Sequence, residues 1–357
     1  MIFTMIGDIE MHQIVPKELL EKSTKILFIG PVAIGDFSYL YNYFKALSEQ
    51  YPNLKIDFWV DEYRGKSCLF RWKNKKHDIV YEWMQSCPFF NKVYTNVGAW
   101  WNLLRFFKQL RQENYPIVVC LFHIRPSRMA RFAKLISPYG FIAPAIKSVG
   151  FDPISDYFAH IFERNFGLKI SQEQKKLSLN NDKKWVDKAQ SELLALGITP
   201  KHDKIIFLNS FAKCKKRSWN MDNVIGLIKL LRQNSSFSNL SFIINALPEK
   251  RELIEEIIKN NSLKNVYVFT ASKSFFELPA MISLCDLVIS VDTSVIHLAF
   301  AFNILLIGLF RQKTAMWAPK SEKSHFIYTK NRREWAKDIS VDDVFKVVEE
   351  LNEKKLF

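Results

Sequence analysis

An aspartate closes the loop that follows the first apolar run of the chain. The run Lys25–Gly30 has the pattern of a buried strand, and Pro31-Val32-Ala33-Ile34-Gly35-Asp36 leads from it into a helical pattern. Such turns lie at the ligand-binding edge of a parallel sheet, where a carboxylate can act as a general base. A carboxylate there can also cap the helix by accepting backbone N–H groups. Asp36 is therefore interpreted as either a catalytic base or a helix cap.

Cations cluster after the first apolar run in the second half of the chain. Lys213, Lys215, Lys216 and Arg217 follow the predicted strand Lys204–Asn209. Like charges repel one another at this spacing, and an anionic ligand such as a diphosphate would relieve the repulsion. A solvated loop, with every charge in water, is the alternative interpretation.

A turn with anion-binding chemistry follows the apolar run Leu287–Ser290. Asp292, Thr293 and Ser294 open a predicted helix there. Hydroxyl groups and free backbone N–H groups at the start of a helix bind anions. His297 lies three residues after Ser294, so the two side chains share a face of the helix. A capped helix with a core histidine is the alternative interpretation.

The elements that must position these side chains alternate between short apolar runs and longer helical patterns. This alternation predicts an α/β fold with parallel sheets covered on both faces. The predicted strands are Lys25–Gly30, Lys55–Val60, Lys92–Tyr94, Ile117–Phe122, Lys204–Asn209, Ser241–Ile244, Val266–Phe269, Leu287–Ser290 and Leu305–Leu309. The predicted helices are Phe37–Tyr51, Met221–Gln233, Pro248–Asn260, Phe275–Ser283, Val295–Phe302 and Val341–Leu356.

The length of the chain predicts two domains, because 357 residues exceed the size at which one hydrophobic core usually stops growing. The polar, lysine-rich stretch 169–189 marks the boundary. We predict one domain over residues 1–180, a second over 181–340 and a C-terminal helix in 341–357. Two doubly wound domains facing a central cleft would bring the carboxyl edges of both sheets to one site.

Composition restricts the class of protein. Apolar residues make up 48% of the chain, which indicates a folded protein. The first 24 residues do not have the pattern of a signal peptide, and the longest apolar run is shorter than the ~18 residues of a membrane span. The cysteines are scattered, without metal-ligand spacing, and are predicted to be reduced, buried thiols: Cys68, Cys87, Cys120, Cys214 and Cys285. These features predict a cytoplasmic protein, soluble or peripheral to a membrane.

The net charge of +15 is concentrated in the first half of the chain. Residues 51–150 contain 16 Lys and Arg but only 6 Asp and Glu. A basic face would favour an acidic partner, such as a nucleic acid, an anionic membrane or a phosphorylated glycan. Solvated faces of a generally lysine-rich chain are the alternative.

Three of the motifs, in their order along the chain, resemble glycosyltransferase family 9, the heptosyltransferases of bacterial lipopolysaccharide synthesis. Val32–Asp36 resembles the S-A-L-G-D loop of that family, and the segment from Tyr51 to Asp57 resembles its YP-x-x-x-I-D strand. Lys216–Trp219 resembles its K-x-W loop with one residue more. Asp292–Ala299 matches D-x-G/S-x-x-H-L-A, which is the most specific match. The family's F-G-P-T is replaced here by charged residues after Phe310.

The resemblance covers about residues 25–330 and implies an inverting, metal-independent enzyme with the GT-B fold. It implies transfer of a heptose from ADP-heptose, a nucleotide-diphosphate sugar donor, to a lipopolysaccharide or lipooligosaccharide core. Asp36 would be the general base that deprotonates the acceptor. The implied donor-binding residues of the second domain are Lys215, Lys216, Arg217, Glu249, Asp292, Thr293, Ser294 and His297. No cofactor and no metal are expected.

The resemblance also implies that the first domain receives an anionic, lipid-linked glycan. We predict that cations following two of its strands bind this acceptor, namely Arg64, Lys66, Arg125 and Arg128. Peripheral contact with the cytoplasmic face of the inner membrane would accompany that role, and no nucleic-acid partner is expected. Two alternatives remain: a nucleotide-sugar 2-epimerase of the same architecture, and a basic nucleic-acid-binding protein.

Overall fold

The chain folds into two compact units, Met1–Lys175 and Lys176–Phe357. The structure is a computed structural model. It describes residues 13–60, 78–94, 100–123, 126–147, 154–175, 179, 181–200, 202–212, 214–237 and 239–357.

The first unit contains a five-stranded parallel sheet with the order β3-β2-β1-β4-β5. Its elements in chain order are α1 (Lys17–Lys22), β1 (Lys25–Gly30), α2 (Ile34–Gln50), β2 (Lys55–Val60), α3 (Asp78–Ser86), β3 (Phe90–Tyr94), α4 (Trp100–Gln112), β4 (Ile117–Cys120), α5 (Pro126–Ile136), β5 (Phe141–Ala143), α6 (Ile154–Phe166) and α7 (Gln172–Lys175).

Aromatic side chains fill one face of the first sheet. Phe28 of β1 packs edge-on against Phe44 of α2, with ring centroids 4.8 Å apart, and Phe162 of α6 lies beside both. Helices α4 and α5 cover the opposite face, where Phe106 and Met129 share a core with residues of β1 and β4. Apolar burial on both faces explains why the central strands are continuous apolar runs.

The second unit contains a six-stranded parallel sheet with the order β11-β10-β9-β6-β7-β8. Its elements are α8 (Lys183–Ala195), β6 (Ile205–Asn209), α9 (Met221–Gln233), β7 (Ser241–Asn245), α10 (Arg251–Asn260), β8 (Val266–Phe269), α11 (Glu277–Ser283), β9 (Leu287–Val291), α12 (Ser294–Ala301), β10 (Leu305–Phe310), β11 (Ser324–Tyr328) and α13 (Val341–Glu353). Helix α13 packs against α9 and buries Val344, Val348 and Leu351.

The predicted strands all exist, and the alternating α/β architecture is confirmed. Two edge strands, β5 and β11, are absent from the prediction. Strand β5 has three residues, and most side chains of both strands are only partly buried. An edge strand with one exposed side does not produce the continuous apolar run on which the prediction depended.

Two expectations about local environment can be compared with the structure. Cys87, Cys120 and Cys285 are buried and reduced, whereas Cys214 is exposed, so the prediction of burial was wrong for that thiol. Cys214 lies in the loop after β6, directly before the short 3-10 helix Lys215–Arg217. Cys68 lies outside the described residues. No helix in the described ranges has the length and apolar character needed to cross a membrane.

Candidate functional site

Each sheet has one position at which the chain changes the direction in which it adds strands. In the first sheet β1 lies between β2 and β4, and in the second β6 lies between β7 and β9. The direction changes between β1 and β4 in the first sheet and between β6 and β9 in the second. The loops that follow the two strands of such a pair leave the sheet over opposite faces, which opens a crevice at the carboxyl ends of that pair. The loops after β1, β6 and β9 carry Asp36, the cation cluster and the Asp292 turn, respectively.

Asp36 lies in the first turn of α2, three residues after its N-cap Ala33. One carboxylate oxygen, Oδ2, accepts a hydrogen bond of 2.9 Å from the backbone N–H of Ala33. The side chain is half-buried. Asp36 thus stabilises the start of the helix, although it is not the N-cap residue itself. This contact holds the carboxylate at the carboxyl edge of β1, which is compatible with both interpretations of the residue.

Arg217 and Asp292 join the cation cluster to the turn after β9. The guanidinium of Arg217 lies 2.9 Å from Oδ2 of Asp292 and also donates a hydrogen bond to its backbone oxygen. Burial raises the pKa of the Asp292 carboxyl, while Arg217 and the hydroxyl of Thr314 act in the opposite direction. The structure therefore brings the cation cluster and the Asp292 turn together, although they are far apart in the sequence. Arg217 forms an ion pair with the Asp292 carboxylate.

A chain of amide and hydroxyl groups crosses the carboxyl edge of the second sheet. The side-chain Nδ2 of Asn245 donates to Oδ1 of Asn209 at 2.8 Å, and Nδ2 of Asn209 donates to the hydroxyls of Ser290 and Thr293, both at 2.9 Å. The hydroxyl of Ser290 donates to the backbone oxygen of Val291. These contacts fix the orientation of the Asn209 amide, because its nitrogen has two acceptors and its oxygen has a donor.

Sequence reasoning missed Asn209 and Asn245 as part of this site. The signal was present, since each asparagine is the last residue of its strand and follows a run of at least three apolar residues, at the ligand-binding edge. Ser210 follows Asn209, and its buried hydroxyl has no hydrogen-bond partner among the described residues. Buried polar groups without partners are uncommon in folded proteins and are often satisfied by a bound group.

Thr293, Ser294 and His297 occupy the start of α12, with Thr293 as the N-cap. Thr293 and Ser294 are half-buried, whereas His297 is buried. Burial lowers the pKa of His297 to about 4, so its imidazole is neutral at physiological pH. The ring centroid of Trp317 lies 6.4 Å from that of the histidine. The core-histidine interpretation therefore describes the surroundings of His297, and any ligand contact would be made by a neutral ring.

Lys215 and Lys216 are exposed in the short 3-10 helix Lys215–Arg217. The ammonium of Lys216 lies 5.8 Å from the ring centroid of Trp335, on which Arg311 also stacks at 3.7 Å. Trp219 anchors the end of this loop, because its buried indole donates a 2.9 Å hydrogen bond to the backbone of Ile339.

Glu249 is exposed in the turn Pro248–Lys250, which follows β7. The neighbouring Lys250 places its ammonium 4.6 Å from the ring centroid of Phe211, a residue of the loop after β6. This contact brings the turn that carries Glu249 near the loop that carries the cation cluster.

The first unit contributes one described member of the predicted acceptor-binding cations. Arg128 lies in the first turn of α5, is half-buried, and has its guanidinium carbon 5.8 Å from the ring centroid of Phe132. Arg64, Lys66 and Arg125 lie outside the described residues. In the described ranges, no group of three or more His, Cys, Asp or Glu side chains is arranged to hold a metal ion.

Comparison with known families decides between the classes of protein that share this architecture. The model of glycosyltransferase family 9 (heptosyltransferase) matches residues 148–346, more than half of the chain. The chain belongs to glycosyltransferase family 9. The matched segment includes the whole second sheet, together with the cation cluster and the Asp292 turn.

Individual members of the family agree with this assignment. Lipopolysaccharide heptosyltransferase 3 of Escherichia coli is 25% identical over 238 residues, which span 62% of this chain and 66% of that protein. A glycosyltransferase family 9 structure from Veillonella parvula covers 93% of this chain and 97% of its own, with a TM-score of 0.72 at 14% identity. ADP-heptose lipopolysaccharide heptosyltransferase II of Escherichia coli covers 93% and 99%, with a TM-score of 0.64 at 15% identity. The GT-B fold is confirmed.

Proposed function

We propose that this protein transfers a heptose from ADP-heptose to an anionic lipopolysaccharide or lipooligosaccharide core, with inversion at the anomeric carbon. Family membership supports glycosyl transfer over epimerisation. The observation that carries the proposal further is the Arg217–Asp292 contact, which gathers the cation cluster and the N-terminus of α12 at the direction change of the second sheet. Both features suit a nucleoside diphosphate.

The reaction requires one proton transfer and one displacement. The carboxylate of Asp36 takes the proton of the acceptor hydroxyl, whose oxygen then forms a bond to the anomeric carbon of the donor. The bond between that carbon and the diphosphate breaks, and the diphosphate leaves with the electron pair. Its added negative charge is stabilised by the lysines after β6 and by the N–H groups at the start of α12. No step requires a metal ion in this proposal.

The donor site is assigned from the contacts described above. Arg217 holds the Asp292 turn, which leaves Lys215 and Lys216 to neutralise the diphosphate. The Asn209 amide donates a hydrogen bond to the Thr293 hydroxyl oxygen. The proton of that hydroxyl can therefore be donated to a phosphate oxygen. Ser294 and His297 line the same turn, and Glu249 is assigned to the nucleoside.

The division of roles among the three cations predicts the outcome of a binding experiment. Lys216→Ala or Lys215→Ala should weaken ADP binding about tenfold or more at one of the two positions, because a hydrogen bond to a charged group is lost. Arg217→Ala should act through Asp292, so Arg217→Ala and Asp292→Asn should be non-additive by at least ~0.5 kcal/mol. Calorimetry of ADP binding checks both, with Lys229→Ala as the exposed control. Equal, negligible effects at all three cations would make the cluster a solvated loop.

The acceptor site is assigned to the first unit. We place the anionic core near the carboxyl edge of the first sheet, where Asp36 lies, with Arg64, Lys66, Arg125 and Arg128 as its cationic contacts. Arginine suits phosphate and carboxylate groups because its planar fork forms two parallel hydrogen bonds. A lipid-linked acceptor would bring the protein to the cytoplasmic face of the inner membrane.

The test of the proposed function measures ADP release from ADP-heptose with and without a purified heptose-deficient core oligosaccharide. Release that requires the acceptor, with a matching mass increase of the oligosaccharide, is expected, and it should persist in EDTA. Release of free sugar epimer without acceptor would indicate an epimerase. Loss of activity in EDTA that Mg²⁺ restores would contradict the metal-independent mechanism. Tight nucleic-acid binding with no turnover would contradict the proposed function altogether.

A further inference from the structure

Helices α4 and α5 have an unusual charge composition. Each helix contains three Lys or Arg residues, and neither contains Asp or Glu. They lie side by side on one face of the first sheet, because their apolar sides share a core with Leu27 and Ile29 of β1. Their outward sides therefore form a single surface.

The cations on that surface are exposed and not neutralised by neighbours. Arg105, Lys108 and Arg111 follow one another on the outer side of α4, and Lys134 and Arg131 lie on the outer side of α5. None of these five has an ion-pair partner within the described part of the chain, although Nε of Arg131 donates to a backbone oxygen of its own helix. We call this surface, together with Leu104, Leu135 and Tyr139, the α4–α5 face.

Large apolar side chains stand among these cations. Tyr139, in the turn after α5, is 97% exposed, and Leu104 on α4 is 71% exposed. They are the two most exposed large apolar side chains in the part of the chain that the structure describes. Leu135 adds a third, 53% exposed, on α5. Exposed leucine costs free energy in water, so a surface that combines it with unpaired cations suits a partner with both anionic and apolar parts.

We propose that the α4–α5 face docks on an anionic lipid bilayer. The lipid headgroups complement the five cations, and the leucines and the tyrosine insert at the boundary between headgroups and acyl chains. A nucleic acid would complement the charge but would gain little from exposed leucine, and a second copy of this face would be repelled by its own charge. The proposal concerns a surface, and it does not depend on the proposed function.

The charge part of the proposal is tested by co-sedimentation with vesicles. The protein should bind vesicles of phosphatidylcholine with about one third phosphatidylglycerol at least ~10-fold better than pure phosphatidylcholine vesicles, and added salt should weaken that binding. The triple variant Arg105→Glu, Lys108→Glu, Lys134→Glu should lower it about a hundredfold. The matched control Lys229→Glu, Lys259→Glu, Lys346→Glu has the same net charge but alters exposed lysines of the second unit. Equal binding of the two triple variants would overturn the proposal.

The apolar part needs a separate pair of variants. Leu104→Asn with Leu135→Asn should lower binding to the anionic vesicles about tenfold while leaving its salt dependence unchanged. Leu194→Asn with Leu253→Asn, at exposed leucines of the second unit, is the control and should bind as the unmodified protein does. Thermal unfolding of each variant confirms that the units are folded. If the Leu104 and Leu135 pair binds vesicles normally, or if a short DNA duplex binds in place of any vesicle, the face is not a lipid-docking surface.

Discussion

Replacing Asp36 with asparagine is expected to lower turnover at least ~100-fold while leaving ADP binding and thermal unfolding unchanged. Asparagine keeps an oxygen that can accept the hydrogen bond from the backbone N–H of Ala33, so the start of α2 is retained. The asparagine amide cannot take up the proton of the glycan hydroxyl, so the general base is lost. Steady-state kinetics with a saturating core acceptor measures the effect.

Two controls separate the base from the cap. Asp182 is the N-cap of α8 and accepts a 3.0 Å hydrogen bond from the backbone N–H of Lys184, so Asp182→Asn makes the same chemical change at a helix start of the second unit. It should leave turnover unchanged. Asp36→Ala should lose both turnover and some stability, about 1 kcal/mol, because it removes the contact at the helix start. Normal turnover of Asp36→Asn would assign Asp36 to helix capping alone.

Replacing Asp57 with alanine is expected to destabilise the first unit by about 3 kcal/mol. Asp57 lies within β2, is fully buried, and accepts hydrogen bonds from Nδ2 of Asn91 at 2.7 Å and from the hydroxyl of Tyr115 at 2.5 Å. Burial, together with the bond to Asp57, raises the pKa of Tyr115, so the phenol remains a donor. Alanine would remove the acceptor of the buried Tyr115 phenol, which would keep only the Tyr94 hydroxyl at 2.9 Å, and would also remove the partner of the exposed Asn91 amide. Denaturant unfolding monitored in the first unit measures the loss.

The controls for Asp57 distinguish a lost hydrogen-bond network from a general packing defect. Asp57→Asn keeps an acceptor for Tyr115 and should cost less than Asp57→Ala. Adding Tyr115→Phe to Asp57→Ala should cost less than the sum of the two changes, because both changes remove the same hydrogen bond between Tyr115 and Asp57. Asp187→Ala on the exposed side of α8 should change stability by less than ~0.5 kcal/mol. Unchanged unfolding of Asp57→Ala would mean that the buried network contributes no stability.

Local pattern was sufficient to predict where the candidate residues lie along the elements. The apolar runs before Asp36, Ser210 and Asp292 are strands in the structure because buried parallel strands carry continuous apolar residues, and the turn that follows each run is where a helix begins. The same reasoning predicted nine strands and six helices within a few residues, but it named no helix at α1 or at α3 to α7. It failed at β5 and β11, whose partly exposed side chains give no such run.

The sequence by itself thus determined the central strands, the α/β alternation and most of the polar residues that follow the strands. Only the tertiary structure decided which of these residues meet. Arg217 contacts Asp292 across 75 positions of sequence, and Asn209 bonds Thr293 across 84. In the sequence Asp57 is a single polar residue within a strand, and only the fold places Asn91 and Tyr115 within hydrogen-bond distance of it. The order of strands in each sheet creates these contacts. That order depends on how the helices pack on both faces of the sheet, and no local periodicity of the sequence encodes that packing.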